Sequence, residues 1–571
     1  MTVTSTKTPQ SSYRQWWKEA TIYQIYPSSF KDSDGDGLGD IQGVIEKLDY
    51  LQNLGVDAVW LCPSAFAVFK SPQVDMGYDI SDYRAMHPPY GTVEDAQELI
   101  QGLHKRGMRC ILDLVVNHSS DQHEWFKKSR ASRDNEWRDW YVWRKPRYDA
   151  SGNRQPPNNW AAAFGGSAWT YDGVTDEYYL HLFAPEQPDL NWENPTVVRE
   201  VHEVMEFWLK KGVDGFRMDV INFISKEPGL PDAEITDSAA PWQSAIKLFC
   251  NGPRLHEYLR GLRQLLDRYG AFSVREMPGV KEDDQGKFYR KDWKLPELKG
   301  LIEKWQTFAH KVGGWNATFL ENHDQARSVS RYTKHRPEHR ELAAKMLATC
   351  LCTLGGTLFV YQGKELGMAN LPQAWGIEEY KDIESLNFLQ EALKTTEGDE
   401  KALDEIWTEI RLKARDHARS PVLWDTTRNA GFTTGTPWMK VNEDVTRCNA
   451  RNQQAQPDSV LNYWRRGISL RKKLQDVLVY GTFEAHDGEN EAIMSYTRHC
   501  ETTDAHAVVM INFTDEEQKW QLPVSERALL SSGIGQTVLS TYDTALPSVY
   551  GEGFINLRAF EAIVVATVGV F

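Results

Sequence analysis

One unit recurs along the chain: apolar residues at helical spacing, then a glycine, then a short run that is apolar throughout. Residues 40–54 place Ile41, Val44, Ile45, Leu48, Leu51 and Leu54 on one helical face. Gly55 ends that helix, and VDAVWLCP follows as a buried strand. Thr92 caps a second helix carrying Val93, Ala96, Leu99, Ile100 and Leu103; Gly107 stops it, and MRCILDLVVNH is again a strand. A third copy opens at Pro195, runs through Val198, Val201, Met205, Trp208 and Leu209, stops at Gly212 and continues as VDGFRMDV. Helix, glycine, buried strand, repeated, predicts a parallel α/β barrel or a doubly wound sheet. No GxGxxG or GxxxxGK[ST] marks a nucleotide-binding version.

Three regions depart from this rhythm. Residues 119–187 are rich in Trp, Tyr, Asn, Gly and Pro and fall between a strand and the next helix, which predicts an inserted subdomain. Residues 377–420 read as a second, helical insertion. From about 485 onward, short stretches such as AHAVVMINFT and FEAIVVATV predict a terminal antiparallel β-sandwich. Between Glu276 and the strand near 317 no apolar sixth strand is readable, because KEDDQGKFYRKDW is polar.

Composition narrows the partners. The 571 residues carry 65 Lys and Arg against 80 Asp and Glu, a formal charge of −15 with no basic run. That argues against nucleic acid and against an anionic membrane surface. The start, MTVTSTKTPQSSYRQWW, lacks the charged-then-apolar form of a secretory signal, and no run of 18 apolar residues could span a bilayer. Seven cysteines, an odd number, include Cys62 and Cys110 inside strand-like runs and form no CxxC pair. They read as free buried thiols in a reducing, cytoplasmic setting. The 21 tryptophans divide evenly between two readings, core packing and stacking on sugar rings.

Four polar clusters end strands: DLVVNH (113–118), GFRMD (215–219), FSVREMPG (272–279) and FLENHD (319–324). They supply His118, Arg217, Asp219, Glu276, His323 and Asp324. Each alone is explained by an ion pair or a cap. Three carboxylates at separate strand ends beside His and Arg point instead to a site, since buried like charges weaken a fold unless something uses them. A further motif, DSDGDGLGD (32–40), alternates Asp32, Asp34, Asp36 and Asp40 as a hard-cation loop does. Gly43 stands where an EF-hand needs Glu, and the preceding TIYQIYPSSF is strand-like, so the expected site is a Ca²⁺ or Mg²⁺ ion in a β–α loop, with the Leu38 carbonyl as a further ligand.

From Trp16 to the C-terminus the chain resembles glycoside hydrolase family 13, and within it the fungal-like oligo-1,6-glucosidase/α-glucosidase (isomaltase, maltase) group. The resemblance rests on DLVVNHSS, GFRMDV, EMPG and FLENHDQAR in that order, with QPDLNWENP (187–195), DMGYDISDY (75–83) and KARDHARSP (413–421). It implies an α/β fold: a (β/α)₈ TIM barrel over 12–118 and 188–484, an inserted subdomain at 119–187 after strand 3, and a C-terminal antiparallel β-sandwich over 485–571. It implies Asp219 as nucleophile, Glu276 as general acid/base, and Asp324 as the carboxylate that grips sugar hydroxyls. Asp75, Tyr78, His118, Arg217, His323, Arg415 and Arg419 resemble residues that hold the terminal glucose, with Phe164 and Phe183 as aromatic walls. Val220 in this group accompanies α-1,6 preference, where Thr accompanies α-1,4. The Asp32–Asp40 loop matches the family's structural cation site, with no organic cofactor.

The chemistry agrees. Retaining hydrolysis needs two carboxyl groups roughly 5 Å apart. Arg217, two residues before Asp219 on the same strand face, is expected to favour its ionised form, and Asp219 and Asp324 are expected to raise the Glu276 pKa. Three positions depart from the family: Arg275 stands where Gly is usual and is expected to face the helix layer, 61–75 makes a longer loop, and Lys364 in YQGKELGM stands where Glu is common. The function expected is a retaining, exo-acting α-glucosidase acting on short oligosaccharides with α-1,6 preference. Its competitors are an α-1,4 maltase, a transglucosylase or sucrose-converting enzyme, and a catalytically impaired paralogue used for binding. Transporter-associated relatives of that last kind carry a membrane anchor and lack the carboxylates, whereas this chain has no anchor-like run and keeps all three.

Overall fold

The computed structural model describes residues 14–62, 70–277, 288, 292–333, 337–396, 399–524, 527, 535–542 and 553–567. Seven strands form the central sheet: β1 (Thr21–Ile25), β2 (Ala58–Leu61), β3 (Arg109–Leu114), β4 (Gly215–Met218), β5 (Phe272–Arg275), β6 (Ala317–Thr318) and β7 (Thr357–Tyr361). Every pairing is parallel, in the order β5-β4-β3-β2-β1-β7-β6. Helices cover its outer face, so this is a TIM barrel, nearly closed by its seven described strands, with no described pairing between β5 and β6. Among the described residues no strand fills that interval; most of the polar run KEDDQGKFYRKDW lies outside them.

The repeated unit forms for the reasons its sequence suggests. The first helical stretch divides into α1 (Ile41–Glu46) and α2 (Leu48–Leu54), with Gly55 at φ 92° closing the second. Thr92 and Asp95 exchange hydrogen bonds in a capping box at the start of α3 (Val93–Lys105). Asn194 caps α4 (Pro195–Lys210), and Gly212 at φ 100° turns the chain into β4. In each, an apolar stripe packs inward while the strand that follows is buried on both faces.

After α5 (Leu255–Tyr269), the helix α6 (Leu295–Lys311) precedes β6 and carries Leu301, Trp305 and Phe308 in a stripe continued by Val312. These are 55 %, 45 %, 50 % and 59 % exposed. On its other side α6 is anchored: Lys299 Nζ donates to the carbonyls of Asp487, Asn490 and Ile493 at 2.6, 2.7 and 3.1 Å.

Between β3 and α4 the chain makes a helix, Glu124–Ala131, and a small antiparallel sheet containing Trp143–Arg144, Trp169–Asp172 and Glu177–Leu180. The helical insertion after β7 contains α7 (Ile383–Thr395) and α8 (Glu400–Lys413). The terminal sandwich comprises β8 (Thr482–His486), β9 (Ile493–Cys500), β10 (Ala505–Asn512), β11 (Gln518–Gln521), β12 (Gly535–Ser540), β13 (Phe554–Leu557) and β14 (Ala562–Thr567). Its five-stranded sheet, β8-β9-β10-β14-β12, faces the β11–β13 pair across Val508, Met510, Trp520, Ile555, Leu557 and Ile563. The opposite face packs on the barrel, where buried Arg498 donates to Gln306 Oε1 and to the carbonyls of Leu478 and Gly481. Most of the tryptophans serve packing, and Trp160, Trp192, Trp208 and Trp464 are fully buried.

Candidate active site

Strand register brings the carboxylates together. Arg275 of β5 pairs with Met218 of β4, so Asp219 and Glu276 leave adjacent strands side by side. The Glu276 N–H donates to the Met218 carbonyl at 3.0 Å, and the Asp219 N–H donates to the Leu114 carbonyl at 3.0 Å. Between them lies Arg217, only 4 % exposed. Its Nη1 reaches Asp113 Oδ1 at 2.9 Å and Asp219 Oδ1 at 2.7 Å, and its Nη2 reaches Glu276 Oε2 at 2.6 Å. The Trp60 ring lies under the guanidinium, 5.4 Å from its centre.

One cation therefore serves three carboxylates. Burial pushes Asp113 up to about 7 against the pull of Arg217. Burial also pushes Asp219 well above the usual carboxylate range; Arg217 opposes this, and the negative fields of Glu276 and Asp113 add to it. Arg217 favours the ionised form of Asp219, as expected from its place two residues earlier on the strand, but burial outweighs it. Asp113 was not singled out in the sequence, although it sits in the DLVVNH motif one inward-facing position from the strand end.

A second group surrounds Asp324. The Gln24 amide donates to His323 Nδ1 at 2.8 Å, which leaves the ring proton on Nε2. That nitrogen lies 2.9 Å from Asp324 Oδ2 and 2.5 Å from the Tyr78 hydroxyl. Burial lowers the His323 pKa, so the ring donates as a neutral group. Arg419 and Arg415 approach Asp324 Oδ1 at 3.0 and 3.4 Å. Burial alone would raise Asp324, but His323, Arg415 and Arg419 outweigh it and hold the carboxyl well below the usual range. Both arginines are anchored by buried Asp382, which accepts from Arg415 Nε at 2.7 Å and lies 3.4 Å from Arg419 Nη1. Asp382 caps α7, and its only sequence signal is that of a helix cap.

The third group forms a wall. Asp75 meets Arg415 Nη2 at 3.4 Å and accepts from Gln187 Nε2 at 3.2 Å, and burial raises its pKa to about 6. His118 Nε2 donates to the Tyr78 carbonyl at 3.0 Å, and burial lowers this histidine to about 4. Phe183 packs on His118 and on Phe164, with ring centres 5.1 and 5.7 Å apart, and Arg415 lies over Phe164 at 5.5 Å. Gln187, which joins Asp75 to the Tyr78 carbonyl, opens the QPDLNWENP motif but was not named as a site residue.

Val220 departs from its expected setting. Its backbone is left-handed, φ 33° and ψ 39°, which is unusual for a β-branched residue. Its N–H points to Glu276 Oε2 at 3.4 Å, and its side chain is buried among apolar residues that include Trp160, Leu182 and Phe223. Arg275 lies near Arg263 of α5, on the helix side. Lys364 is buried and pairs with Glu321 at 3.2 Å, so the exchange of Glu for Lys at this position is matched by a carboxylate.

Outside this pocket, the ligand atoms of Asp32, Asp34 and Asp40 lie within 4.8 Å of one another. Asp36 stands outside that group; its carboxylate accepts from the Leu38 N–H at 2.7 Å. The loop is tied to the chain after the helical insertion: the Asp32 carboxylate accepts from Thr433, and Gly37, at φ 99°, lies so close to the Thr436 carbonyl that a Cβ would stand 1.8 Å from it. The 61–75 loop lies partly outside the described residues.

The family model described as the α-amylase catalytic domain matches residues 24–294 and 271–481. The chain belongs to this family of glycoside hydrolases. The two matched pieces overlap between β5 and α6. An oligo-1,6-glucosidase of Parageobacillus thermoglucosidasius is 45 % identical over 96 % of this chain and 98 % of its own. An α-glucosidase of Schizosaccharomyces pombe is 43 % identical over 89 % and 92 %. The crystal structure of a Bacillus licheniformis trehalose-6-phosphate hydrolase mutant superposes with TM-score 0.87 at 38 % identity, covering 97 % of this chain and all of that one. Membership makes the protein an enzyme of the glycoside hydrolase class, with the α-glucosidases and oligo-1,6-glucosidases as its relatives. No helix among the described residues is long and apolar enough to cross a membrane.

The two aspartates differ in what they do for stability. Asp219 has a raised folded-state pKa, so its ionised form weakens the fold as pH rises above about 4. Asp324 has a depressed one, so its contribution is present above about pH 4 and is lost as pH falls further. At pH 7, Asp219→Asn should raise the unfolding midpoint and Asp324→Asn should lower it, while both abolish turnover. Thermal unfolding at pH 7 and pH 4.5 checks this, with the Asp219→Asn gain shrinking at the lower pH.

Proposed function

We propose that this hydrolase is a retaining, exo-acting α-glucosidase that removes terminal α-linked glucose from short oligosaccharides, with α-1,6 links preferred. One observation carries the reading: Asp219 and Glu276 are held on the two η-nitrogens of a single guanidinium. That supports the close spacing of about 5 Å used in double displacement rather than the wider one that admits a water between the carboxyls. The Asp75–Arg415–Asp324 cluster, walled by Phe164 and Phe183, supports a site that ends at one sugar.

In the first step an Asp219 oxygen bonds to the anomeric carbon and the glycosidic C–O bond breaks. Protonated Glu276 gives its proton to the departing oxygen. In the second, Glu276 takes a proton from water, whose oxygen displaces Asp219 from the same carbon. A sugar hydroxyl can replace that water, which gives transfer. Asp324, ionised and fixed by His323 and two arginines, can accept hydrogen bonds from sugar hydroxyls and stabilise positive charge at the ring.

We infer a structural Ca²⁺ or Mg²⁺ ion on the Asp32, Asp34 and Asp40 carboxylates, an all-oxygen donor set suited to a hard cation. It would brace the first β–α loop against 433–436 and takes no part in the chemistry. All seven cysteines are free and buried, which supports a reducing, cytoplasmic location.

Proton NMR in the first minutes of isomaltose hydrolysis should show α-glucose as the first product; initial β-glucose would exclude the covalent role of Asp219. Chelation should lower the melting temperature, since an ion that binds only the folded state stabilises it; an unchanged curve and no metal by elemental analysis would remove the ion. Val220→Thr should raise the maltose-to-isomaltose ratio of kcat/KM by roughly 5- to 30-fold, since one hydrogen bond contributes about 1 kcal/mol. It should also lower stability by about 1–3 kcal/mol, because the new hydroxyl enters an apolar cluster. Competition assays and unfolding midpoints of the variant test both.

A further inference from the structure

The C-terminal sheet holds a set of ligating side chains that the chemistry above does not use. His499 of β9 and His506 of β10 stand directly opposite each other in the antiparallel register. Cross-strand partners project from the same face, and these two rings stack at 4.2 Å with 13° between their planes. The intervening turn, 501–504, ends at Asp504, whose left-handed backbone (φ 56°) accompanies a carboxylate turned back toward the strands. Its Oδ1 lies 3.1 Å from His499 Nε2 and 3.4 Å from His506 Nε2. All three donor atoms fall within 4.8 Å of one another. Neither the family motifs nor the sequence clusters include HxxxxDxH.

Hydrogen bonding alone accounts poorly for this arrangement. It would have two stacked imidazoles donate to one oxygen of a carboxylate whose side chain is 88 % exposed. An exposed pair of that kind contributes little and does not require a shared acceptor. Three donors about 2.1 Å from one tetrahedral ion, by contrast, stand about 3.4 Å apart; the two oxygen-to-nitrogen separations here are 3.1 and 3.4 Å, and a turn of the stacked rings about their Cβ–Cγ bonds aims both nitrogens at one ion. The geometry points to a second metal site, selective for a divalent transition ion and best suited to Zn²⁺, bound by His499 Nε2, His506 Nε2 and the Asp504 carboxylate, with water as the fourth ligand. Two imidazoles favour such an ion over Ca²⁺ or Mg²⁺, which separates this site from the aspartate loop. The rings are 31 % and 34 % exposed, so the ion exchanges with solvent. Bound there, it fastens the 501–504 turn to two central strands of the sheet.

The test uses the full chain, treated with EDTA and dialysed, then titrated with Zn²⁺ by calorimetry and followed by thermal unfolding. Co²⁺ serves as a spectroscopic probe. One Zn²⁺ per chain at this site should raise the melting temperature, and Co²⁺ should give the intense visible bands of a tetrahedral site. His506→Ala and the more conservative His506→Gln should each weaken that binding at least tenfold and abolish the bands, with hydrolysis in the absence of added metal unchanged. Absence of Zn²⁺ binding by the unsubstituted protein would overturn the proposal. So would equal binding by both variants, which would place the ion elsewhere, such as on the aspartate loop.

Discussion

The candidate active site is built around one buried guanidinium shared by three carboxylates. Arg217 can reach Asp113, Asp219 and Glu276 only because β3, β4 and β5 run parallel in a register that ends them together. A buried cation needs partners, and here it has more negative charge around it than it can neutralise. Burial raises the proton affinity of Asp113 and Asp219 against the pull of Arg217, and the surplus negative charge adds to it. An arrangement that costs stability is also one poised to move protons and stabilise a developing positive charge. The enzyme's chemistry and its local instability thus have one origin.

Around Asp324 the balance is reversed. Two arginines and the neutral His323 converge on this one carboxylate, and Asp382 restrains the arginines from behind. The same pocket therefore contains one carboxyl driven toward protonation and another driven toward ionisation. The parts come from different places: the turn after β6 supplies Asp324, and the helical insertion supplies the cap residue that positions its partners.

The interval between β5 and β6 does not carry these contacts. Glu276 is fixed by its own backbone bond to β4 and by Arg217, and Asp324 by groups from β1, the Tyr78 loop and the helical insertion. In the outer layer α6 shows an apolar stripe to solvent. The C-terminal sandwich holds α6 through Lys299 and Gln306.

By itself the sequence determined the repeated helix–glycine–strand unit, because helical spacing, a left-handed glycine and a buried apolar run are local properties. It also pointed to Arg217, Asp219 and Glu276, which lie at the ends of adjacent strands where register brings them together, and to His323 and Asp324 in the turn that follows β6. The polar run between Glu276 and α6, where no apolar strand is readable, lies mostly outside the described residues. Tertiary structure decided what depends on distance across the fold. Asp113, Gln187 and Asp382 look like ordinary strand, loop and cap residues until folding places them against distant partners. Whether Arg217 serves one carboxylate or three is set by sheet register, and the upward shifts of Asp113 and Asp219 follow first from the burial that folding imposes. Val220 reads as a strand residue, yet the turn after β4 forces it left-handed and buries it. His499, Asp504 and His506 meet only because a hairpin folds two strands face to face, a pairing that spacing along the chain does not specify.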